Sequence, residues 1–340
     1  MNRQQKLKAC SIWGVCSLVL SGWVGAVNAH HVIVETDYVL KNKDKPGVIL
    51  IDARAASAYK KGLIPGAVVL GDKSARSGLR GVDGRILSVK ALEKILGDAG
   101  VTRESEIIVY GTKGDTDHNL VFWILEYLGA TKAKAYHGGF DDWTAGKHPL
   151  TNEPRKIPAA QFTAKVREDL IATTDFVRKN LQNKEIQFID SRTVKESAGE
   201  DIRSVRGGHI AAVSHVNIPY EFAWKDPEAA RKLSEKKVQD RDGMALKDAA
   251  AIKDLYKTVD PKKEVVAYCQ TGIRSTQTYA VLREAGYQKV RNYDDSWIIY
   301  GANPDLPAKN VTYFDFVRVN AAMRRLDALE KKVEALAGKK

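Results

Sequence analysis

The stretch EVVAYCQTGIRS, residues 264–275, joins a short apolar run to a polar turn that begins at Cys269. The run EVVAY is too short for a helix and rich in β-branched residues, which predicts a buried strand. The stretch EIIVYG at residues 106–111 has the same pattern, with glycine in place of the cysteine. Upstream lies a second matched pair, VILIDAR at residues 48–54 and IQFIDSR at residues 186–192. The chain therefore contains two copies of one unit.

Further matches extend this repeat. GLIPGA at residues 62–67 corresponds to GHIAAV at residues 208–213, and residues 136–143 resemble residues 293–300. In both copies short apolar runs alternate with helical stretches, which predicts an α/β fold with a mainly parallel sheet flanked by helices. The second copy is longer around residues 220–260, where we expect an insertion.

A chain of 340 residues is too long for one ordinary core and suits two domains. We expect an N-terminal domain at residues 30–148 and a C-terminal domain at residues 162–310. Residues 149–161 between them are rich in proline and charge, which disfavours helix and predicts a linker.

The end of the chain, residues 311–340, has a different pattern. Its apolar residues are spaced three and four apart amid arginine and lysine: Val319, Ala322, Leu326, Leu329, Val333 and Leu336. This spacing predicts an amphipathic helix long enough for a short coiled coil. Two interpretations remain open: a helix packed back on its own domain, or an element for oligomerisation or for docking a protein partner.

The first residues predict export. Basic residues precede an apolar run over about residues 12–27, and small residues follow up to Ala29, as in a signal peptide. We expect residues 1–29 to be removed after secretion across an inner membrane, which places the protein in the periplasm with no stable membrane insertion. The alternative is an uncleaved N-terminal anchor.

Charge and cysteine usage narrow the function further. The formal net charge of +12 is spread over the chain without a block of lysine and arginine, which favours solubility or attraction of small anions over nucleic-acid binding. Cys269 is the only cysteine outside the predicted signal peptide, so an intramolecular disulfide is excluded from the mature chain. A lone thiol in an oxidising compartment is either buried and inert or present for its chemistry. No histidine and cysteine cluster has the spacing of metal ligands.

The turn after the strand suits a reactive thiol. A residue at the carboxyl end of a parallel strand lies where open α/β sheets bind ligands. Inward-pointing N–H groups and the following helix N-terminus would lower the pKa of Cys269. Gly272 can adopt the positive φ that a tight cradle needs. Arg274 could offer its guanidinium to a sulfonate or sulfite oxygen, or it could pair with a nearby acid.

At these residues the sequence resembles the rhodanese family, specifically the tandem-domain thiosulfate sulfurtransferases, whose active loop has the form Cys-x-x-Gly-x-Arg. The resemblance covers roughly residues 31–307. Besides the Cys269 loop it includes DSR at residues 190–192, GHI at residues 208–210 and YDDSW at residues 293–297. It implies two tandem rhodanese-like domains.

The resemblance also implies a mechanism. Cys269 would take the outer sulfur of thiosulfate as a persulfide and pass it to cyanide or a thiol, without a metal or an organic cofactor. The surrounding loop would bind the substrate: Gln270, Thr271, Gly272, Ile273 and Arg274.

Three more residues are candidates for the cleft, each with a structural alternative. Arg206 is either a substrate-steering charge or a solvated loop charge, and His209 either a base or a hydrogen-bonded loop histidine. Trp297 lines the cleft wall or the domain interface.

The first copy lacks this equipment. Its loop GTKGDT, residues 111–116, has Gly111 where the second copy has Cys269 and Thr116 where it has Arg274. We therefore predict that the N-terminal domain is catalytically inactive and has a structural role.

Two other functions compete with sulfur transfer. Phosphatases of related fold also use a cysteine and an arginine in a strand-to-helix loop, but their loops hold one more residue between the two. The shorter loop here should fit a sulfur atom. The second alternative is an exported sulfur or selenium carrier, or a partner-binding protein with incidental sulfurtransferase activity.

Overall fold

Two five-stranded parallel sheets, one in each half of the chain, dominate the computed structural model, which describes residues 31–337. The predicted signal peptide, residues 1–29, lies outside the described residues. Within residues 31–337 no helix combines the length and the hydropathy needed to cross a membrane.

The secondary structure alternates between strands and helices along residues 31–337. The strands are β1 (Ile33–Val34), β2 (Val48–Asp52), β3 (Ala67–Val69), β4 (Glu106–Tyr110), β5 (Ala133–Tyr136), β6 (Ile171–Ala172), β7 (Ile186–Asp190), β8 (His209–Ile210), β9 (His215–Asn217), β10 (Glu264–Tyr268), β11 (Val290–Tyr293) and β12 (Ala308–Lys309). The α-helices are α1 (Thr36–Asn42), α2 (Ala75–Gly78), α3 (Val89–Asp98), α4 (Asp117–Tyr127), α5 (Gly139–Ala145), α6 (Thr174–Lys179), α7 (Val194–Ala198), α8 (Ala229–Ser234), α9 (Ala249–Leu255), α10 (Arg274–Glu284), α11 (Ser296–Tyr300) and α12 (Phe316–Ala337). Short 3₁₀ turns occur at Ala56–Lys61, Glu168–Leu170, Tyr220–Ala223 and Asp242–Met244.

The two sheets have the same topology. Their strand orders are β1-β5-β4-β2-β3 and β6-β11-β10-β7-β9, and every pair within them is parallel. The register also repeats, because Asp52 lies opposite Tyr110 and Asp190 lies opposite Tyr268. Strands β8 and β12 form a separate antiparallel pair. The structure confirms the predicted duplication and the parallel α/β architecture.

A buried ion pair lies at the carboxyl end of the strand next to the central one in each sheet, β2 in the first copy and β7 in the second. Arg192 donates to both carboxylate oxygens of Asp190, at 2.9 and 2.7 Å, and to the carbonyl of Gly208 at 2.7 Å. The Tyr268 hydroxyl also donates to Asp190. Arg54 makes the equivalent bonds in the first copy. The DSR motif therefore braces the loops of the fold and does not present its arginine to a ligand.

Helices α4 and α10 join the two halves, packing against each other between the sheets. Every residue of α4 is buried. Across this interface the Tyr279 hydroxyl donates to Glu126 at 2.6 Å, and Arg283 forms an ion pair with the same carboxylate. The loop at residues 111–116 leads directly into α4, and the loop at residues 269–274 ends at Arg274, the first residue of α10.

Each half also contains a hairpin-like segment that contacts the other half. In the first half it spans residues 79–87 and is closed by a hydrogen bond from the Leu87 N–H to the Leu79 carbonyl. In the second half it spans residues 223–247, within the predicted insertion around residues 220–260, and is closed by a hydrogen bond from the Lys247 N–H to the Ala223 carbonyl.

The C-terminal helix α12 forms as predicted, over Phe316–Ala337. None of its residues is buried, and its apolar side chains are exposed. The interpretation of a helix packed back on its own domain is therefore wrong for the described residues.

Candidate active site

Cys269 lies between the end of β10 and the start of α10, at the carboxyl edge of the second sheet, as the sequence predicts. Its side chain is fully buried, and it is the only free cysteine in residues 31–337. The loop that follows, residues 269–274, is held by hydrogen bonds from three directions. It therefore has a fixed shape before any ligand binds.

The first support comes from the start of α11. The Cys269 N–H donates to the Ser296 hydroxyl at 3.0 Å, and the Cys269 carbonyl accepts from the Trp297 N–H at 3.0 Å. The Ser296 hydroxyl donates in turn to the Tyr293 carbonyl at 2.7 Å. Ser296 has a φ of 49°, in the left-handed region that non-glycine residues seldom adopt. Such an outlier stores backbone strain and is typical of functional sites.

The second support is the close approach of Gly272 to residues 294–295. Gly272 has a φ of 75°, as predicted, and a Cβ placed there would lie 2.4 Å from the Asp294 carbonyl oxygen. The Asn292 amide donates to the Gly272 carbonyl at 3.0 Å. Only glycine fits this position, because both the backbone conformation and the free space exclude a side chain.

The third support comes from the N-terminal half. Arg80 donates to the Thr271 carbonyl at 2.7 Å and to the Asp294 carboxylate at 2.6 Å. The Ile86 N–H donates to the same carboxylate at 2.9 Å. Arg80 and Asp294 are both buried. The hairpin-like segment at residues 79–87 thus clamps the loop of the other domain.

The electrostatics of the loop favour a thiolate. Burial alone would raise the pKa of the Cys269 thiol, but the charge of Arg274 and hydrogen bonds from Ser275 and the Thr271 N–H outweigh it and lower the pKa. The Ser275 hydroxyl lies 3.7 Å from the sulfur and 2.6 Å from the side-chain oxygen of Asn292, and its single proton is donated to one of these two acceptors at a time. A thiol with a lowered pKa in a cradle of donors is the arrangement of a nucleophilic cysteine.

Arg274 is already paired. Its two terminal nitrogens donate to the two carboxylate oxygens of Glu196, at 2.8 and 2.7 Å. Burial would raise the pKa of the Glu196 carboxyl, but the hydrogen bonds and charge of Arg274 lower it. Glu196 is buried and also lies 3.3 Å from Arg203. Of the two expected roles, pairing with an acid is the one the structure shows, and contact of Arg274 with a substrate stays a prediction.

The remaining loop residues make local contacts. The Gln270 amide donates to the Arg203 carbonyl, while its side-chain oxygen is buried with no hydrogen-bond partner. Ile273 is buried, and its carbonyl accepts from the Thr276 hydroxyl at 2.7 Å. Contact of these loop residues with a substrate stays a prediction.

The three cleft candidates bind or pack against other parts of the C-terminal half. Arg206 is buried and donates to the carbonyls of Gly301, Asn303 and Leu306, so it is not a solvated loop charge. His209 binds the Ser197 carbonyl at 2.8 Å, as expected of a hydrogen-bonded loop histidine. Trp297 is buried, with its ring 4.6 Å from the Arg192 guanidinium carbon. Contact of any of the three with a ligand stays a prediction.

The loop of the first copy has the same backbone plan with different side chains. Gly114 has a φ of 79°, like Gly272, and the Phe140 N–H donates to the Gly111 carbonyl as the Trp297 N–H does to Cys269. Lys113 is buried and forms ion pairs with Asp142 and Asp242, at 2.7 and 3.4 Å. With no thiol and its cation paired, this loop has no nucleophile.

Four residues of the site were missed from the sequence: Arg80, Glu196, Ser275 and Ser296. Glu196 carries a local signal, since Thr193 and Glu196 form a capping box at the start of α7, but that pattern predicts a helix start only. Ser275 and Ser296 lie within stretches that the sequence singles out, residues 264–275 and 293–297, but those stretches do not indicate which atoms the two serines contact. Arg80 has no sequence signal, because its role depends on contacts across the fold.

Comparison with known proteins shows the family of the two domains. Residues 35–146 and 173–298 each match the family model of the rhodanese-like domain. A thiosulfate sulfurtransferase from Azotobacter vinelandii is 27% identical over 278 residues, covering 82% of this chain and 97% of that protein. A putative thiosulfate sulfurtransferase from Mycobacterium bovis is 30% identical over 285 residues, covering 80% of this chain and 95% of that protein.

Solved structures show the same fold at lower identity. A 3-mercaptopyruvate sulfotransferase from Escherichia coli aligns with a TM-score of 0.62 and 21% identity, covering 78% of this chain and 98% of that one. An anaerobic ergothioneine biosynthesis enzyme from Chlorobium limicola aligns with a TM-score of 0.66 and 19% identity, covering 83% and 70% of the two chains. With its duplicated domain and its cysteine loop, this chain belongs to the rhodanese family, as a tandem-domain sulfurtransferase.

Proposed function

We propose that this protein moves a sulfane sulfur from thiosulfate, or a similar small anionic donor, to cyanide or a thiol through a persulfide on Cys269. The observation that carries the proposal is the Cys269 sulfur, buried in a preformed loop that lowers its pKa. Thiosulfate is the donor named for the sequence relatives, which supports it as the first substrate to test.

The reaction has two half-reactions. In the first, the Cys269 thiolate attacks the outer sulfur of thiosulfate, a new S–S bond forms, and the old S–S bond breaks with its electron pair leaving on sulfite. In the second, cyanide or a thiolate attacks the outer persulfide sulfur and regenerates the Cys269 thiolate. Negative charge is conserved in both steps, so neither needs an oxidant or a metal.

The loop is suited to the persulfide as well as to the thiolate. Donors aimed at the Cys269 sulfur, from Ser275 and the Thr271 N–H, also stabilise a terminal sulfur that carries negative charge. Burial excludes water from that sulfur and restricts access to small donors. Glu196 offsets the positive charge of Arg274. We therefore expect a doubly charged donor such as thiosulfate to bind weakly.

Steady-state kinetics tests the two-step scheme. Thiocyanate formation measured over a grid of thiosulfate and cyanide concentrations should give the parallel double-reciprocal lines of a ping-pong reaction. Sulfite should also form from thiosulfate alone, in an amount equal to the enzyme. Intersecting lines, with sulfite released only when both substrates are present, would contradict a persulfide intermediate.

We also propose that the enzyme works in the periplasm, on the basis of the signal-like sequence at residues 1–29. Cell fractionation followed by N-terminal sequencing tests this location. The proposal predicts a periplasmic protein that begins at His30. A cytoplasmic protein, or one that keeps its first residues in the membrane fraction, would overturn it.

A further inference from the structure

Helix α12 leaves an apolar face uncovered. All of its residues from Phe316 to Ala337 are exposed, and within the described chain no ion pair or side-chain hydrogen bond connects it to the two domains. Its 22 residues give a rod of about 33 Å. Exposed leucines and valines on one face of such a rod are typical of a surface that another element covers.

The spacing on this face is that of a heptad repeat. Positions a are occupied by Val319, Leu326 and Val333, and positions d by Ala322, Leu329 and Leu336. The repeat is unbroken over the helix, which favours a left-handed coiled coil over a single docking contact. Valine occupies two of the three a positions and leucine two of the three d positions, a combination that favours two parallel strands.

The charged residues at positions e and g, which flank the apolar face, indicate which helix can pair with α12 and in which orientation. In a parallel pair, position g of one helix faces position e of the next heptad in the other, so Arg325 faces Glu330 of the partner subunit. Symmetry makes this attractive contact twice. In an antiparallel pair the g positions face each other, and here all three are basic: Arg318, Arg325 and Lys332. The helix is thus complementary to a parallel copy of itself.

We propose that α12 pairs with α12 of a second copy of this chain as a parallel, two-stranded, in-register coiled coil. The catalytic loop needs no residue from the second copy, since Cys269, Arg80 and Glu196 belong to one chain. The pairing therefore sets the oligomeric state and leaves the chemistry of each site unchanged.

Sedimentation equilibrium of the purified protein tests the pairing. A dimer held by three heptads should have a Kd in the micromolar range, so concentrations up to about 100 μM are needed. Arg325→Glu and Glu330→Arg should each weaken dimerisation by about tenfold, because two attractive contacts become repulsive. The double variant should return to within about twofold of the natural protein.

Three controls separate this proposal from its alternatives. Arg324→Glu, on the outer face of the same helix, should leave the dimer unchanged, whereas Leu329→Asp should abolish it. All of these variants should keep their thiocyanate-forming activity, because α12 makes no contact with the loop. Loss of sulfur transfer would therefore bear on the proposed function and not on the dimer.

Two results would overturn the pairing. One is a natural protein that stays monomeric at about 100 μM, a concentration that populates any micromolar dimer. The other is a double charge-swap variant that stays as weak as the single variants. A monomer that binds vesicles containing anionic lipid through α12 would assign the apolar face to a membrane surface instead.

Discussion

The loops at residues 269–274 and 111–116 occupy equivalent places in the two copies and have nearly the same backbone. Each follows a central strand, contains a glycine with positive φ and leads into an eleven-residue helix, which is buried throughout in the first copy and largely buried in the second. Only the second carries a thiol and an adjacent arginine. The comparison shows that the cradle is a property of the duplicated fold, whereas reactivity depends on a few side chains placed in it.

The two copies carry different residues at the position whose successor donates to the first carbonyl of each loop. Gly139 in the first copy and Ser296 in the second both have positive φ, 58° and 49°, and both precede the residue that binds the first loop carbonyl. Glycine adopts this conformation freely, but serine does not. The second copy keeps a strained residue whose hydroxyl accepts the Cys269 N–H. The strain is retained where it serves the nucleophile.

The two domains also close each other's loops. Arg80 of the first half binds the Thr271 carbonyl, and Arg241 of the second half binds the Lys113 carbonyl at 2.8 Å. Only the first of these contacts reaches a loop with a nucleophile. The N-terminal half therefore contributes directly to the geometry of the Cys269 loop.

The largest expected effect comes from removing the nucleophile. Cys269→Ser should lower sulfite release from thiosulfate by at least about 10³-fold, because a serine hydroxyl is a far weaker nucleophile than a thiolate. Thermal unfolding should be unchanged, since the two side chains are nearly isosteric.

Moving the cysteine to the first loop tests whether that loop lacks more than a thiol. The double variant Cys269→Ser/Gly111→Cys should stay inactive, because a Cβ at residue 111 would lie 3.2 Å from the His118 ring and Thr116 replaces the arginine. Activity recovered in this variant would show that the first cradle lacks nothing but the thiol.

Arg274→Gln should have the next largest effect. Removing the positive charge that lowers the pKa of Cys269 lets that pKa rise, so less thiolate is present at a given pH. We expect the acid limb of the pH–rate profile for sulfite release to move to higher pH, and the rate at pH 7 to fall roughly 10- to 100-fold.

Two controls accompany this variant. Thr116→Ala at the equivalent position of the first loop should change the rate less than twofold. Adding Glu196→Gln to Arg274→Gln removes a buried carboxylate that keeps only its weaker contacts with Arg203 and Thr193, and should restore part of the stability but not the rate. A slower enzyme with an unmoved pH profile would mean that Arg274 acts on the substrate and not on the thiol.

Ser296→Gly tests the strained support. It removes the acceptor of the Cys269 N–H and relieves the left-handed conformation, so sulfite release should fall about tenfold while the free energy of unfolding stays within about 1 kcal/mol. Ser296→Ala loses the acceptor and keeps the strain, and it should be the less stable of the two. Full activity in the glycine variant would show that Ser296 only shapes the turn and that its hydroxyl does not support Cys269.

A smaller effect on the rate is expected where an arginine of one half binds a loop carbonyl of the other half. Arg80→Gln leaves Asp294 buried without its partner, which should cost about 3 kcal/mol of stability and slow sulfite release about threefold. The matched variant Arg241→Gln should cost about 1 kcal/mol and leave the rate unchanged, since its loop has no nucleophile. Equal losses of rate in both variants would point to the domain interface as a whole and not to the loop contact.

The sequence predicts the fold well because its signals are local and occur twice. The apolar run at residues 264–268, its counterpart at residues 106–110 and the glycine of each turn depend on short-range geometry. The amino-acid pattern alone therefore predicts the parallel sheets, the position of the Cys269 loop and the positive φ of Gly272.

The partners inside the site could not be predicted. Arg274 meets Glu196, 78 residues away, and Arg80 meets Thr271, 191 residues away, because the packing of helices and domains brings them together. In the sequence Arg206 resembles a solvated loop charge, but in the structure it is buried and donates to carbonyl groups around residue 303. Such contacts leave no periodic trace in the chain.

The most direct test of the account is intact-mass spectrometry of the purified protein before and after incubation with thiosulfate, and again after cyanide. The account predicts a gain of one sulfur atom, located on Cys269, that cyanide removes and that Cys269→Ser never acquires. A folded protein with a free thiol that takes up no sulfur, or an adduct that persists in the serine variant, would contradict it.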